Sequence, residues 1–317
     1  MNLNFKMKTI EDVITGVIYG QAIGDALGLG TEFLEKDVVH SYYPEGLTRY
    51  DQIVPDLHRR RWKPGSWTDD TDMMLAIADA ILEDRTINPS TIARNFKRWF
   101  KGYPLGIGRN TYNVLSLSDY EDNPEKAASI IWKLSGMKSA ANGAVMRTSI
   151  VGLWHQDIDK YAEAVCRLTH ADPRCVASCV IVCQIIHNIV WKQILLSPHE
   201  IIEIANKYDE RIATYVDLAI NSNDINALRL DEKPHIGYTL KTLSAGLWAL
   251  YHAQSFREGL LAVVNAGGDA DTNGAVACSL LGAKFGFSSI PDYYVDNLIG
   301  NDRLRRLSKE FCLLLTE

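Results

Sequence analysis

The sequence predicts an all-α chain, a compact orthogonal multi-helix bundle in a single domain over residues 1–317. Three observations carry that prediction. Helix-start signals recur along the whole chain. Apolar residues repeat at helical spacing. No series of alternating strands, no β-then-helix rhythm and no internal repeat stands out.

Taken in order, Thr9 with Asp12 resembles a capping box before "VITGVIYG", and Ile10, Val13, Ile14, Val17 and Ile18 make one apolar stripe. Gly20, Gly24 and Gly28 follow at intervals of four, a smooth groove where another backbone can approach closely. The preceding strand and the spacing of a dinucleotide fingerprint are missing, and Gln21 and Asp25 make the segment unlike a lipid-facing helix. "SWTDDTDMMLAIADAI" places Thr68, Asp69 and Asp70 just ahead of an apolar helix. Asn88-Pro89, Asn123-Pro124, Asp172-Pro173 and Ser197-Pro198 each pair an N-cap residue with proline at the first helical position. Ile92, Phe96, Trp99 and Phe100 form the stripe that follows the first of these pairs. Ser197 and Ser255 have Glu200 and Glu258 three residues on. Cys175, Cys179, Cys183 and His187 share one helix face. A soft-metal site is the sharper reading of that row. A buried face using Cys as a small hydrophobe is favoured, because the CxxC loops of structural zinc are absent.

The chain is 47 % hydrophobic and 23 % charged, with a net charge of -6, so no general attraction to nucleic acid or an anionic membrane is expected. No signal peptide is visible. The most apolar stretch, "VASCVIVCQIIHNIVW", is broken by Gln184, His187 and Asn188 and reads as short for a bilayer. A cytoplasmic monomer is the expectation.

The chemistry concentrates in two acidic clusters. In "NAGGDADTNG", Asp269, Asp271, Asn273 and Gly274 match the first half of a calcium loop. The twelfth position, which needs a bidentate Glu, is Leu280, so a complete EF-hand is not expected. Gly267 and Gly268 allow a tight turn just before the carboxylates. The second cluster is Thr68, Asp69 and Asp70. One Asp there is explained by helix capping, but Asp69, Asp70 and Asp72 together exceed what a cap needs and repel one another. Thr272 with Asp269 and Asp271 matches Thr68 with Asp69 and Asp70 in type. Oxygen donors without His or Cys select Mg²⁺, Mn²⁺ or Ca²⁺ over Zn²⁺.

These segments, in this order, resemble the ADP-ribosylglycohydrolase family. "GVIYGQAIGDALGLGTEF", "WTDDTDMMLA", "NGAVMRT", "LTHADPR", "GYTLKTLSAGLWAL" and "NAGGDADTNGAVACSLLGAKFG" carry the resemblance over about residues 12 to 287. It implies an all-α fold and a centre of two Mg²⁺ or Mn²⁺ ions, with Thr68, Asp69, Asp70, Asp269, Asp271 and Thr272 as ligands. Glu32 matches a family glutamate near the metals. Asn142, Gly143, Ala144 and Met146 match a loop along the ligand, in which Ala141 stands where the usual form has Gly. His170 reads both as a helix-end residue, where the charged form suits the dipole, and as a pocket residue. Tyr238 matches an aromatic near the ligand; a helix-start aromatic is its plainer reading. Gly267 and Gly268 complete the expected substrate-binding set. Arg147 reads as a structural ion-pair partner. "LHRRRWKPGS", from His58 onward, reads as a solvated loop or as a basic run that steers a negatively charged substrate.

The resemblance implies a hydrolase that removes ADP-ribose from a modified protein side chain, arginine being favoured, with ADP-ribose as product. Asp70, Asp271 and Glu32 are the candidates to take the proton of the attacking water. Three alternatives stand beside it. One is an O-linked substrate: ADP-ribosylserine, an ADP-ribose polymer or O-acetyl-ADP-ribose. Another is an ADP-ribose-binding protein without turnover. From the acidic loops alone, the third is a two-metal phosphatase or phosphodiesterase, although such sites usually bring His ligands.

Overall fold

The computed structural model describes residues 8–316. Fifteen α-helices follow one another among the described residues. They are α1 (Ile10–Gly28), α2 (Lys36–Tyr42), α3 (Asp69–Asp84), α4 (Pro89–Lys101), α5 (Arg109–Leu115), α6 (Pro124–Leu134), α7 (Ile158–Arg167) and α8 (Pro173–His187). Then come α9 (Pro198–Asn206), α10 (Arg211–Asn221), α11 (Thr239–His252), α12 (Phe256–Val264), α13 (Ala270–Phe285), α14 (Asp292–Asp296) and α15 (Asn301–Thr316). Short 3-10 turns join several of them. The only extended pairings among the described residues are two isolated antiparallel bridges, Leu34 with Gly268 and Ala141 with Tyr238. The all-α expectation holds.

The helix starts follow from their caps. Thr9 accepts from Asp12 N, Asn88 from Ser90 N, Asp172 from Arg174 N and Ser255 from Glu258 N. Ser197 and Glu200 form a full capping box. Asn123 is the exception: it starts α6 without a side-chain hydrogen bond, and Pro124 alone marks the turn.

The centre of the molecule is the antiparallel pair α1 and α13. Gly16, Gly20, Gly24 and Gly28 face Gly282, Cys278, Gly274 and Ala270 in turn. A Cβ added at Gly24 would lie 2.0 Å from the Gly274 carbonyl oxygen, and one at Gly282 would lie 1.9 Å from that of Gly16. No side chain fits between these backbones. The groove read from three glycines is therefore one half of a seam whose other half lies 250 residues downstream in sequence, to order of magnitude. Around it, α11 and α12 pack on α13, α15 packs on α1, and α3 lies across the end of the pair. The α1 stripe of Ile14, Val17 and Ile18 is fully buried in the apolar core, at about 2 kcal/mol for each such side chain.

The α8 cysteine row belongs to that core. Cys175 and Cys183 give their thiols to the carbonyls of Ala141 and Thr148. Burial pushes both thiols up. One expectation is corrected here. Pro173–Lys192, α8 with the π-helical turn after it, is 20 residues long and by length and composition could cross a membrane. Of its most apolar window, 78 % is buried inside the protein, which accounts for its apolar character.

Candidate functional site

Three chain segments meet at one end of the seam. Because α1 and α13 run antiparallel in a fixed register, the turn after α1 lies beside the start of α13. Phe33 N donates to the Gly268 carbonyl and Gly268 N to the Leu34 carbonyl, which ties the two turns together. This sets Glu32 against Asp269 and Asp271, with one carboxylate oxygen of each within 4.8 Å of the others.

The third segment is the start of α3, and α1 holds it. Asp25, fully buried, accepts hydrogen bonds from Thr68 N (3.0 Å), Thr68 Oγ1 (2.9 Å), Thr71 N (3.0 Å) and Thr71 Oγ1 (2.6 Å). One turn earlier on α1, Gln21 Nε2 donates to the Asp70 carbonyl. Asp25 is thus a second cap for α3, supplied from another element, and Gln21 ties the first turn of α3 to α1. Within α3, Thr68 Oγ1 lies 3.2 Å from Asp70 Oδ2, and the Thr272 hydroxyl donates to Asp70 across the site. Two helix N-termini, those of α3 and α13, point their positive ends at the same cluster and offset part of its repulsion.

All six expected metal ligands, Thr68, Asp69, Asp70, Asp269, Asp271 and Thr272, line one cleft with Glu32. Asp69 is partly open to that cleft, and the other five are buried. Burial, and then the neighbouring carboxylates, push Asp70 and Asp271 well above the ordinary range. Burial lifts Asp269 to about 7, and the charge of Glu32 adds to it. Asp25 is also raised to about 7, desolvation outweighing the four hydrogen bonds it accepts. Asp70 Oδ1 and Asp271 Oδ1 are buried without a hydrogen-bond partner. Two orphaned, desolvated carboxylate oxygens on facing helix starts fit a divalent cation, and hard oxygen donors suit Mg²⁺ or Mn²⁺.

Asp72 is not part of this set. Its carboxylate accepts from the indoles of Trp67 (2.9 Å) and Trp99 (3.2 Å), so the third acid of "TDDTD" is satisfied away from the cluster.

The cleft has a volume of about 1380 Å³. Asn142, Gly143, Met146, His170 and Tyr238 line it as expected. Asn142 Nδ2 donates to Asp269 Oδ2 at 2.6 Å and to Thr242 Oγ1 at 3.0 Å, and Thr242 in turn donates to Asn273 Oδ1 at 2.8 Å. Asn142 is therefore a brace for a carboxylate as well as a wall residue. Ala141, paired with Tyr238, carries its Cβ without a left-handed backbone, so the loop keeps its course without the glycine.

Three members of the expected substrate set do not line the cleft. Ala144 is fully buried behind it. Gly267 and Gly268 lie at φ +72°, and a Cβ on them would meet the Leu34 and Leu230 carbonyl oxygens at 2.5 and 2.2 Å. These two make the turn that delivers Asp269.

His170 departs from its expected charge. It is buried, and desolvation together with the Arg147 charge lowers it to about 3, so it is neutral. Arg147 departs as well. Its partners are the Thr169 hydroxyl, the Val165 carbonyl, the Met73 sulfur and the face of Phe96, none of them a carboxylate.

The basic run divides. Arg59 is buried and clamps the Glu32 turn through the carbonyls of Gly30 and Glu32. His58 Nε2 lies 2.6 Å from Glu32 Oε2, and Arg61 stacks on Trp62 at the cleft mouth. Other cleft residues were not singled out from the sequence. The Gly106–Gly108 turn passes so close to Asp69 that a Cβ on Gly106 would sit 2.8 Å from its oxygen. Arg174 reaches the Tyr238 hydroxyl from its ion pair with Asp172. The "GIG" of that turn is the one sequence cue that a close approach was needed there.

Comparison with known proteins gives the family of the chain. The ADP-ribosylglycohydrolase family model matches residues 6–317. The chain is 26 % identical to the ADP-ribosylarginine hydrolase Tri1 of Serratia proteamaculans, over 96 % of this chain and 80 % of that one. It is 27 % identical to the ADP-ribosyl-[dinitrogen reductase] glycohydrolase of Rhodospirillum rubrum, over 92 % and 91 %. A solved ADP-ribosylglycohydrolase-related protein complex superposes with a TM-score of 0.75 at 25 % identity, covering 97 % of this chain and 99 % of that one.

Proposed function

The chain belongs to the ADP-ribosylglycohydrolase family and is an ADP-ribosyl glycohydrolase, and from that premise we propose that it is a metal-dependent enzyme acting on N-linked ADP-ribosylarginine in proteins. The observation that carries the metal dependence is the convergence of two Thr-Asp-Asp sets on one buried point with two carboxylate oxygens unpartnered. The names of the Serratia and Rhodospirillum relatives support a protein side chain as substrate, and the former supports arginine.

Two Mg²⁺ or Mn²⁺ ions held by Thr68, Asp69, Asp70, Asp269, Asp271 and Thr272 would neutralise the clustered carboxylates, orient ribose hydroxyls and acidify water. The chain supplies the rest. Asn142 fixes the Asp269 carboxylate, and Asp25 fixes the start of α3. Glu32, braced by His58 at the mouth, stands where a proton leaving the attacking water can be taken up. Asp70 and Asp271 are the other two candidates for that proton. Met146 and Tyr238 give the cleft apolar wall against which a sugar or base can lie. Holding the anomeric carbon and the water in one geometry removes much of the entropic part of the barrier.

The test is ADP-ribose release from arginine-linked and serine-linked proteins, with Mg²⁺ and with chelator, for the wild type and Asp271→Asn. Metal-dependent release from arginine is expected, falling on the order of a thousandfold in the variant. Release from serine alone moves the substrate to an O-linked one. No release from either, with metal bound, removes this reading.

A further inference from the structure

His170 sits at the end of α7 with its ring edge in the cleft wall. Two hydrogen bonds behind it decide which ring nitrogen carries the proton. Arg147 Nη2 lies 2.6 Å from Thr169 Oγ1, and a guanidinium can only donate. The Thr169 hydroxyl has accepted that bond, and its own hydrogen finds one acceptor in reach, His170 Nδ1 at 2.7 Å. Nδ1 is therefore bare, and in the neutral ring the proton is on Nε2. Nε2 is buried and has no partner. The space before it is kept by Gly143: a Cβ there would come within 3.1 Å of Cε1 and 3.3 Å of Nε2. A buried donor left unsatisfied destabilises the protein, and a ligand acceptor would recover that loss.

Arg147 itself is unusual in this setting. It is a fully buried guanidinium with its Nε unpartnered and its charge resting on the Phe96 ring at 4.4 Å. A core that needed only packing there would be served by an apolar side chain of similar volume. What the guanidinium adds is an obligate donor behind Thr169.

We propose that Arg147 and Thr169 are positioning residues that fix His170 as an Nε2–H donor aimed into the cleft, for an acceptor oxygen of the ADP-ribosyl group. The choice of ligand rests on the proposed function; the locked tautomer does not. Burial and the Arg147 charge favour the same neutral ring. The consequence is a donor that is already oriented before substrate arrives.

The experiment is nitrogen NMR on histidine-labelled protein without ligand, followed by ADP-ribose titration calorimetry. The wild type is expected to show His170 protonated at Nε2 and bare at Nδ1. Thr169→Val keeps the volume and removes the hydroxyl; it should give mixed tautomers and about tenfold weaker ADP-ribose binding. Thr169→Ser should restore both. A wild-type His170 protonated at Nδ1 overturns the proposal without any variant. So does Thr169→Val with unchanged tautomer and unchanged affinity. If the wild type does not bind ADP-ribose, the proposed function fails, and the wild-type spectrum still decides whether the tautomer is locked.

Discussion

Asp70 and Asp271 each keep one oxygen that nothing in the protein satisfies, and the acids around them share the strain. In the metal-free protein burial raises Asp25 and Asp269 to about 7, and burial with the neighbouring carboxylates pushes Asp70 and Asp271 well above the ordinary carboxylate range. Their folded-state pKa values are raised above the ordinary carboxylate value of 3.8. The folded state therefore binds more protons than the unfolded one between these limits, and stability falls as pH rises. In chelator, the thermal midpoint is expected to drop steadily from about pH 4 to pH 7, and saturating Mg²⁺ should flatten the slope. A midpoint that rises with pH over this window in chelator would contradict the assigned directions. Single residues also mark the limit of sequence reading. Asp69, Asp70, Asp269 and Asp271 are legible because each pair is local and sits at a helix start. Asp72 misleads, because the two indoles that occupy it come from Trp67 and from Trp99, a helix away. Asp25 is silent in sequence, since its four donors all belong to another element.

At the scale of elements, the caps and stripes were readable, and they place α1, α4, α8, α9 and α12 correctly. The pairing of α1 with α13 was half readable: three glycines announce a groove but do not name its occupant. Gly16 and the facing Gly274 and Gly282 acquire meaning only together. Gly24→Ala would drive a methyl group to 2.0 Å from the Gly274 carbonyl. The expected cost is about 3 kcal/mol or more in urea denaturation, because backbone cannot step aside as a side chain does. Activity should fall with it, since Glu32 and Asp269 hang from the two ends that the seam aligns. An Ala variant of ordinary stability would mean that the helices can separate freely.

On the scale of the whole molecule, one body of helices sets three arms around the cleft, and only the resemblance placed Glu32 and the Asn142 loop there in advance. Composition says nothing about which turns become neighbours. A divalent ion that bridges α3 and α13 must stabilise the entire fold, not one loop. Mg²⁺ or Mn²⁺ at a hundred times its dissociation constant should add about 2.7 kcal/mol, read as a rise in thermal midpoint that chelator reverses. A midpoint indifferent to both metals and chelator would argue against an ion at this point.

The glycine seam has one more effect. Positions 16, 20, 24 and 28 mesh with 282, 278, 274 and 270, and the next register that again sets glycine opposite small residues is a full four residues away. Four residues of helix are about 6 Å. In the register present, a Cβ at any of positions 16, 20, 24 or 28 would come within 2.5 Å of a carbonyl oxygen of α13. The pair thus behaves as a detent, in which close backbone contact opposes sliding of one helix along the other. Distances between Glu32 and the α13 acids are indexed by the main chain, so the surrounding residues are free to vary without retuning the gap.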